Sequence, residues 1–349
     1  MDFENENFST NPHFKFKEII SDKAEGYSVS SLFDIFIDNE GDVILAFPYF
    51  DIKNPTSKDF HISLVSLKDN KEKKKLEGHI ARFKVIKYFY NKDTDKKYLI
   101  SSDRKNKVII WDINNNYSIL FEQIIECKNN INDLLMLFIN QKIYLATTPS
   151  SEDPTKIINL NFEKESKINS LIEIEESKGF NKNSLNHWYN EKTKNNYIIQ
   201  TGKNKILISE YQDKEKYATI DTSDEYPYNI NSIIYTKDNK DYLVICSSFG
   251  LIIIYDLLNK NIFKEIKLKS YLCNIIKWKE DLFMTINGEK KNILFIDMIN
   301  YKIINSVEIK EIFSHERYLR KVRHPVYGEA LISVGNDYKI KLYIDMNYE

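Results

Sequence analysis

Short apolar strands that end in a bulky residue followed by Asp return along this chain at a near-constant interval. Trp111-Asp112, Tyr255-Asp256 and Ile296-Asp297 close such strands, and Tyr343-Ile344 closes another without the acid. Asp256 and Asp297 lie 41 residues apart, Asp297 and Ile344 47, and Asp112 and Asp256 144, or three intervals of 48. Weaker closings near Asn161 and Tyr211 fill the long gap, and one near Leu67 lies 45 residues before Asp112. The spacing predicts seven units. A repeat of this length is one supersecondary element that cannot bury its own apolar face, so copies must stack on one another.

Composition says which element repeats. Tyr (23) and Phe (20) are abundant, and Ile is frequent, which favours strands. Glycine is scarce at 9 residues, so Asn and Asp are expected to make the turns: Asn114-Asn115-Asn116, Asn204 and Asp238-Asn239 sit between apolar runs. Both residue types tolerate positive φ and bond their own backbone. Lys and Arg (50) nearly balance Asp and Glu (51), which makes no strong case for a nucleic-acid or anionic-membrane partner. Cys127, Cys246 and Cys273 are far apart and suit small buried hydrophobes in a reducing, cytoplasmic setting. The acidic, polar N-terminus does not read as a secretory signal. The most apolar stretch, Leu243–Leu258, carries Ser247-Ser248, Gly250 and Asp256, so it reads as two strands and a turn rather than a transmembrane segment.

Leu76–Asp112 is the least degenerate copy. It opens on Gly78-His79, closes on Trp111-Asp112, and holds two apolar strands between them. In these features it resembles one unit of the WD-repeat β-propeller family. The resemblance implies an all-β fold: a seven-bladed propeller of four-stranded antiparallel blades. The second blade's strands are expected at Phe83–Tyr90, Tyr98–Ser102, Val108–Asp112 and Tyr117–Ile125. The last unit supplies only Leu319–His324, Ala330–Val334 and Ile340–Ile344, whereas His13–Ile20 is a spare strand near the start, with Phe14, Phe16 and Ile20 on one face. The N-terminal strand is therefore expected to complete the last blade, which would leave few free sheet edges. Residues 1–11 read as a disordered tail and residues 12–349 as a single domain.

In the family a His, a Ser or Thr, an Asp and the Trp form a buried hydrogen-bonded set. Here His79 and Trp111 take the outer positions. Counting back from Trp111 places Asp103 where the Ser belongs and Lys105 where the Asp belongs, so the set is expected to be incomplete, with His79 satisfied by Asp103 or Ser102. In the last blade His315, Asp337 and Tyr343 hold the corresponding places, with Gly335 in place of the Ser. His79 and His315 read as satisfied core histidines.

No residue pattern points to catalysis. Nucleophile-elbow, dinucleotide, Walker and zinc spacings are absent, so no cofactor, metal ligand or catalytic residue is assigned. Thr201-Gly202-Lys203-Asn204 falls between two strands and reads as a hairpin. Arg317–His324 (RYLRKVRH) is basic; as a site it would take a phosphate or acidic ligand, and otherwise it is a solvated face paired with Glu311, Glu316 and Glu329. Lys71–Lys75 reads as a solvated outer turn.

The resemblance implies that partners meet the rim formed by the loops before the inner strands and the hairpins between second and third strands. Applied position by position, it puts Ser31, Arg82, Asn130, Ser184, Asn229, Leu272 and Tyr318 there, with Arg104, Phe249 and Asn336 on the hairpins and Arg317 beside them. Arg, Tyr and Phe are residue types that anchor interfaces. The expected function is a non-catalytic scaffold, a monomeric propeller binding protein or peptide partners within a hetero-complex. The alternatives are a reader of phosphate or acidic ligands through the last blade, and an enzyme with a site in the central channel.

Overall fold

A computed structural model describes residues 14–20, 33–49, 59–149, 153–163, 168–177, 182–203, 205–211, 216–221, 229–268, 270–290, 292–308, 318–326, 328–334 and 340–345. Among these, the strands form seven antiparallel sheets of four. Each sheet is a blade, with strands lettered a to d from inside outward. The inner strands are Asp34–Ile37, Phe83–Asn91, Ile131–Ile139, Lys182–Asn190, Asn229–Lys237, Leu272–Lys279 and Tyr318–His324. Each touches the inner strand of the next blade, and the seventh touches the first, so the sheets close into a ring. Phe14–Ile20 pairs antiparallel with Ile340–Asp345, Phe16 opposite Tyr343, and stands as the outer strand of the seventh sheet.

The near-continuous apolar runs have a simple cause: each blade is covered on both faces. In Leu251–Asp256 every residue is buried. Leu251, Ile253 and Tyr255 pack toward blade four, whereas Ile252 and Ile254 pack toward blade six. That is the alternation of a strand read into two cores. Seven apolar clusters result, one at each blade junction. The junction that closes the ring joins Phe33, Leu45, Phe47 and Val65 of blade one to Val322, Ala330, Ile332 and Leu342 of blade seven.

Two bulges recur and give the blades their twist. In blades two to five the inner strand bulges after its first residue, for example between Phe83 and Val85 and between Asn229 and Asn231. In blades one to six the pairing of strands c and d also slips by one residue, as at Ile110/Trp111 and Phe295/Ile296.

The turns confirm what glycine scarcity implies. Asn70, Asn106, Asn116, Asn140 and Asn239 all adopt positive φ, between 49° and 61°. Two turns are closed by side chains in the same way. Asp256 Oδ1 accepts the N–H of Leu258 and Asn259 while Asn259 Nδ2 donates to Asp256 Oδ2 at 2.8 Å; Asp297 and Asn300 repeat this at 2.7 Å. Lys71–Lys75 is not a turn: Glu72–Leu76 is the outer strand of blade one. Its charged side chains are tolerated because that strand's outer face and edge meet water.

Candidate functional site

Blade two carries a complete buried polar chain. His79 Nε2 lies 2.7 Å from Ser101 Oγ, Trp111 Nε1 donates to the same Oγ at 3.2 Å, and His79 Nδ1 lies 3.2 Å from Asp103 Oδ2. This corrects the sequence expectation. The Ser position is filled by Ser101, not Asp103, and the Asp position by Asp103, not Lys105, which is exposed. The physical reason is register. Leu99 sits opposite Trp111 and Ser101 opposite Ile109, so Ser101 is one step along the same face as the indole. Counting back without knowing the hairpin's length slips by two. Ser102, the alternative partner for His79, points to the opposite side.

Proton positions follow from the donors available. Indole N–H can only donate, so Ser101 Oγ accepts it and turns its own proton to His79 Nε2. His79 then carries its proton on Nδ1 and gives it to the Asp103 carboxylate. Burial, the largest influence, holds His79 below its ordinary pKa, against the opposing pull of Asp103. Burial pushes the Asp103 carboxyl up, but the bonds from His79 and from the N–H groups of Lys105 and Lys107 outweigh it, and its pKa lies below the usual value. Neutral His beside ionised Asp is the resulting state.

Asp103 is also a clamp. Its Oδ1 accepts the Lys105 and Lys107 N–H at 2.8 and 3.1 Å, and its Oδ2 accepts the Ile80 N–H at 3.1 Å. One carboxylate therefore ties the hairpin that carries Arg104 to the loop that carries Arg82. The two segments also meet directly, Arg104 N–H donating to Arg82 O at 2.8 Å. In blade seven, Ser333 Oγ and Tyr343 Oη make the corresponding contact at 3.3 Å. Ser333, not Gly335, is thus the hydroxyl partner of the closing aromatic, by the same slip of two. His315 and Asp337 lie outside the described residues.

Around the channel, inner strands are laced by side chains that bond the neighbouring backbone. Asp34 accepts the Tyr88 N–H at 2.8 Å, and Asp133 accepts the Leu185 N–H at 2.8 Å while pairing with Lys87. Asn186 donates to Ser232 O. Asn231 accepts from the Ile275 N–H and donates to its carbonyl, both at 3.0 Å. Asn274 does the same to Leu319, and Arg320 reaches Asp34 at 3.8 Å across the closing junction.

Arg82 and Asn130 are half-buried, as is Ser184, and Arg104 and Phe249 are exposed, the latter by 46%. Leu272 is fully buried in the core between blades five and six, which corrects its assignment as a partner contact. The exposed side chain there is the preceding Tyr271, at 39%. Inner strands begin at Asn229 and Tyr318, whose side chains, like Ser31, Arg317 and Asn336, lie outside the described set. Sequence reasoning also passed over Lys84. It is the bulged residue between Phe83 and Val85, half-buried, and its pKa is lowered first by burial and then by Arg104.

Two cations of the basic stretch in blade seven, Lys321 and Arg320, are engaged by the fold, and Arg323 is exposed. Lys321 donates to Trp278 O at 2.6 Å, pairs with Glu329 and stands 4.9 Å over the Trp278 ring. The strand runs from Tyr318 to His324 in continuous register, with Leu319 and Val322 buried in the cores on either side. Thr201 and Gly202 end one strand and Lys205 begins the next, so the Gly-Lys pair is a hairpin. Among the described residues, no group of three or more His, Cys, Asp or Glu side chains is placed to hold a metal ion. No helix among them is long and apolar enough to cross a membrane.

Solved structures of the same shape place the fold. The crystal structure of BBS1N in complex with ARL6DN superposes with a TM-score of 0.66 at 9% identity, covering 96% of this chain and 98% of that one. The fold is a seven-bladed β-propeller. The β-propeller domain of Cps50 (Swd1) from Myceliophteria thermophila superposes on this propeller with a TM-score of 0.64 at 11% identity, covering 95% of this chain and 99% of that one. Neither a protein-family model nor a curated protein matches the chain.

Proposed function

We propose that this propeller is a divergent WD-repeat protein that acts as a non-catalytic scaffold, holding protein or peptide partners on the rim formed by the hairpins between strands b and c and the loops entering strand a. The observation that carries the reading is the Asp103 clamp, which fixes the Arg82 loop and the Arg104 hairpin against each other. A rim held this firmly loses little conformational freedom on binding, and that favours affinity. Phe249 and Tyr271 add an exposed aromatic pair where blades five and six meet at the same end of the propeller. One of the structures this propeller resembles is of BBS1N in complex with ARL6DN. Residues 12–349 would act as one domain behind a short tail, within a hetero-complex in a reducing, cytoplasmic compartment.

The reading based on the basic stretch of blade seven is weaker, because Lys321 and Arg320 are occupied by Glu329, Trp278 and Asp34. The test is quantitative affinity purification from the native source with the wild type, Arg104→Ala and Phe249→Ala. Stoichiometric partners lost from at least one variant, with thermal midpoints unchanged, are expected. Identical recovery with all three proteins would remove the rim from consideration.

A further inference from the structure

The corner of the rim between blades five and six is built by direct contact of three segments. The Leu272 N–H donates to Ser248 O at 3.0 Å and the Leu268 N–H to Gly250 O at 2.7 Å, so the loop entering blade six lies against the blade-five hairpin. The Gly288 N–H donates to Tyr271 O at 2.8 Å, which joins the same loop to the blade-six hairpin. Ser270 Oγ donates to Asn287 Oδ1, which also accepts the N–H of Glu289 and of Lys290 at 3.1 and 3.0 Å. A Cβ on Gly288 would press on the Tyr271 ring at 3.0 Å, so that ring rests on the hairpin. Three side chains stand out from this corner. Phe249 and Tyr271 are 46% and 39% exposed, and Glu289, next to Gly288, is exposed as well. Glu289 is tied to the fold through its N–H, and among the described residues no base pairs with its carboxylate. Ser248, buried in the hairpin that carries Phe249, has an Oγ with no hydrogen-bond partner among the described residues.

We propose that Phe249, Tyr271 and Glu289 form a docking site for an arginine-bearing segment of a protein partner, which deepens the rim-scaffold reading and rests on it. An aromatic face is electron-rich and attracts a cation. This chain shows the pairing on other rings: Lys260 stands 3.9 Å over Tyr217, Lys74 5.3 Å over Tyr117 and Lys237 5.5 Å over Tyr301. A carboxylate beside two rings adds charge of the same sign, so the corner is complementary to a cation and opposed to an anion. Guanidinium suits it best, because its plane stacks on a ring while its fork bonds a carboxylate, and a compact ammonium does not do both at once. An apolar anchor would use the rings but would cover Glu289 without pairing it, which costs free energy. Lys290, exposed and next in sequence, is the one charge here that works against a cation. The backbone bonds between the loop and the two hairpins set the rings in place before the partner arrives, which lowers the ordering cost of binding.

The experiment uses the full chain and a fluorescein-labelled Gly-Arg repeat peptide, with a Gly-Gln repeat of equal length as control. The arginine peptide is expected to bind, and more weakly as salt rises. Glu289→Gln and Phe249→Leu, the second of which exchanges a ring for an aliphatic group, are each expected to weaken it about threefold, the scale of one exposed ion pair or cation–π contact. Lys290→Gln should tighten it by removing the opposing charge. Glu163→Gln, on an exposed acid of blade three, should leave it unchanged. Unchanged thermal midpoints show that each variant is folded. Binding equal to wild type by either Glu289→Gln or Phe249→Leu overturns the proposal. So does weaker binding by Lys290→Gln, or tighter binding of a Gly-Glu or Gly-Leu repeat than of the arginine peptide. If Arg104→Ala loses a purified cellular partner while Glu289→Gln and Phe249→Leu keep it, the arginine site fails and the rim scaffold stands. If all three keep it, both fail.

Discussion

The side-chain amide of Asn274 bonds both backbone groups of Leu319, accepting its N–H at 2.9 Å and donating to its carbonyl at 3.0 Å. Asn274 belongs to the inner strand of blade six and Leu319 to that of blade seven. Asparagine thus stands in for a missing neighbour strand, and satisfies a buried peptide that no sheet reaches. Asn231 treats Ile275 in the same way one blade earlier. The apolar clusters hold the blades together over their width. These amides fix the sliding of one inner strand past the next, which grease alone does not specify.

Replacing Asn274 with Ala leaves a buried N–H and a buried C=O without partners. The expected cost is about 2–4 kcal/mol, from an unmet penalty of about 1–3 kcal/mol per group with partial relaxation. Asn274→Asp should cost more, since it keeps the acceptor, loses the donor and buries a charge. Urea denaturation followed by tryptophan fluorescence gives the answer. A midpoint for Asn274→Ala equal to wild type would mean that water takes the amide's place at no loss.

Ser101 is the hinge of the polar chain in blade two, because one donor, the Trp111 indole N–H, and one acceptor, His79 Nε2, converge on its hydroxyl. Ser101→Ala leaves the Trp111 N–H and His79 Nε2 unmet within a buried setting, and should destabilise by about 1–3 kcal/mol. Trp111→Phe removes one of the two unmet groups. The double variant is therefore expected to be less costly than the sum of the two single changes. Strict additivity in the double-mutant cycle would show that Ser101 and Trp111 do not act as a unit.

Acid should find the same chain. His79 has a pKa below 6.5 in the folded state, so the unfolded state takes up the proton first as pH falls. Its contribution is fully present above about pH 6.5 and is lost as pH drops through the lower folded value. Asp103, held below 3.8, adds a second loss of the same sign at still lower pH. The denaturation midpoint is expected to fall between about pH 7.5 and pH 5. His79→Gln cannot titrate and should flatten that slope. An equal slope in the variant would assign the pH dependence to other groups.

Much of this was readable from residues alone, for identifiable reasons. Leu251–Asp256 announces a strand because both of its faces are buried, which leaves an unbroken apolar run. The Asn and Asp turns follow from the shortage of glycine. The polar chain was misread by two residues because the hairpin from Asp103 to Lys107 has a length that spacing does not reveal. Leu272 was placed on the rim and Tyr271 passed over because the two are neighbours, and only the packing shows which one turns inward. Lys84 was invisible for a different cause. A bulge displaces it from the strand's alternation, and no residue type marks that bulge.

Glycine 250 offers the sharpest contrast between strain and space. Its φ is +90°, and a Cβ there would lie 2.0 Å from Leu268 O and 2.6 Å from Ser270 O, both backbone atoms. Gly41 has φ +80° with nothing within 4 Å. Both positions disfavour an L side chain, at about 1–2 kcal/mol. Gly41→Ala should show that cost alone. Gly250→Ala must also push the Leu268 and Ser270 backbone away, and the Gly250 carbonyl holds the Leu268 N–H at 2.7 Å. It should lose clearly more stability than Gly41→Ala by urea denaturation. It should also change the exposure of Phe249 and Tyr271, read as altered partner recovery with the blade still folded. Equal losses for the two variants would mean that the loop moves freely, and then the aromatic pair at blades five and six could not serve as a preformed anchor.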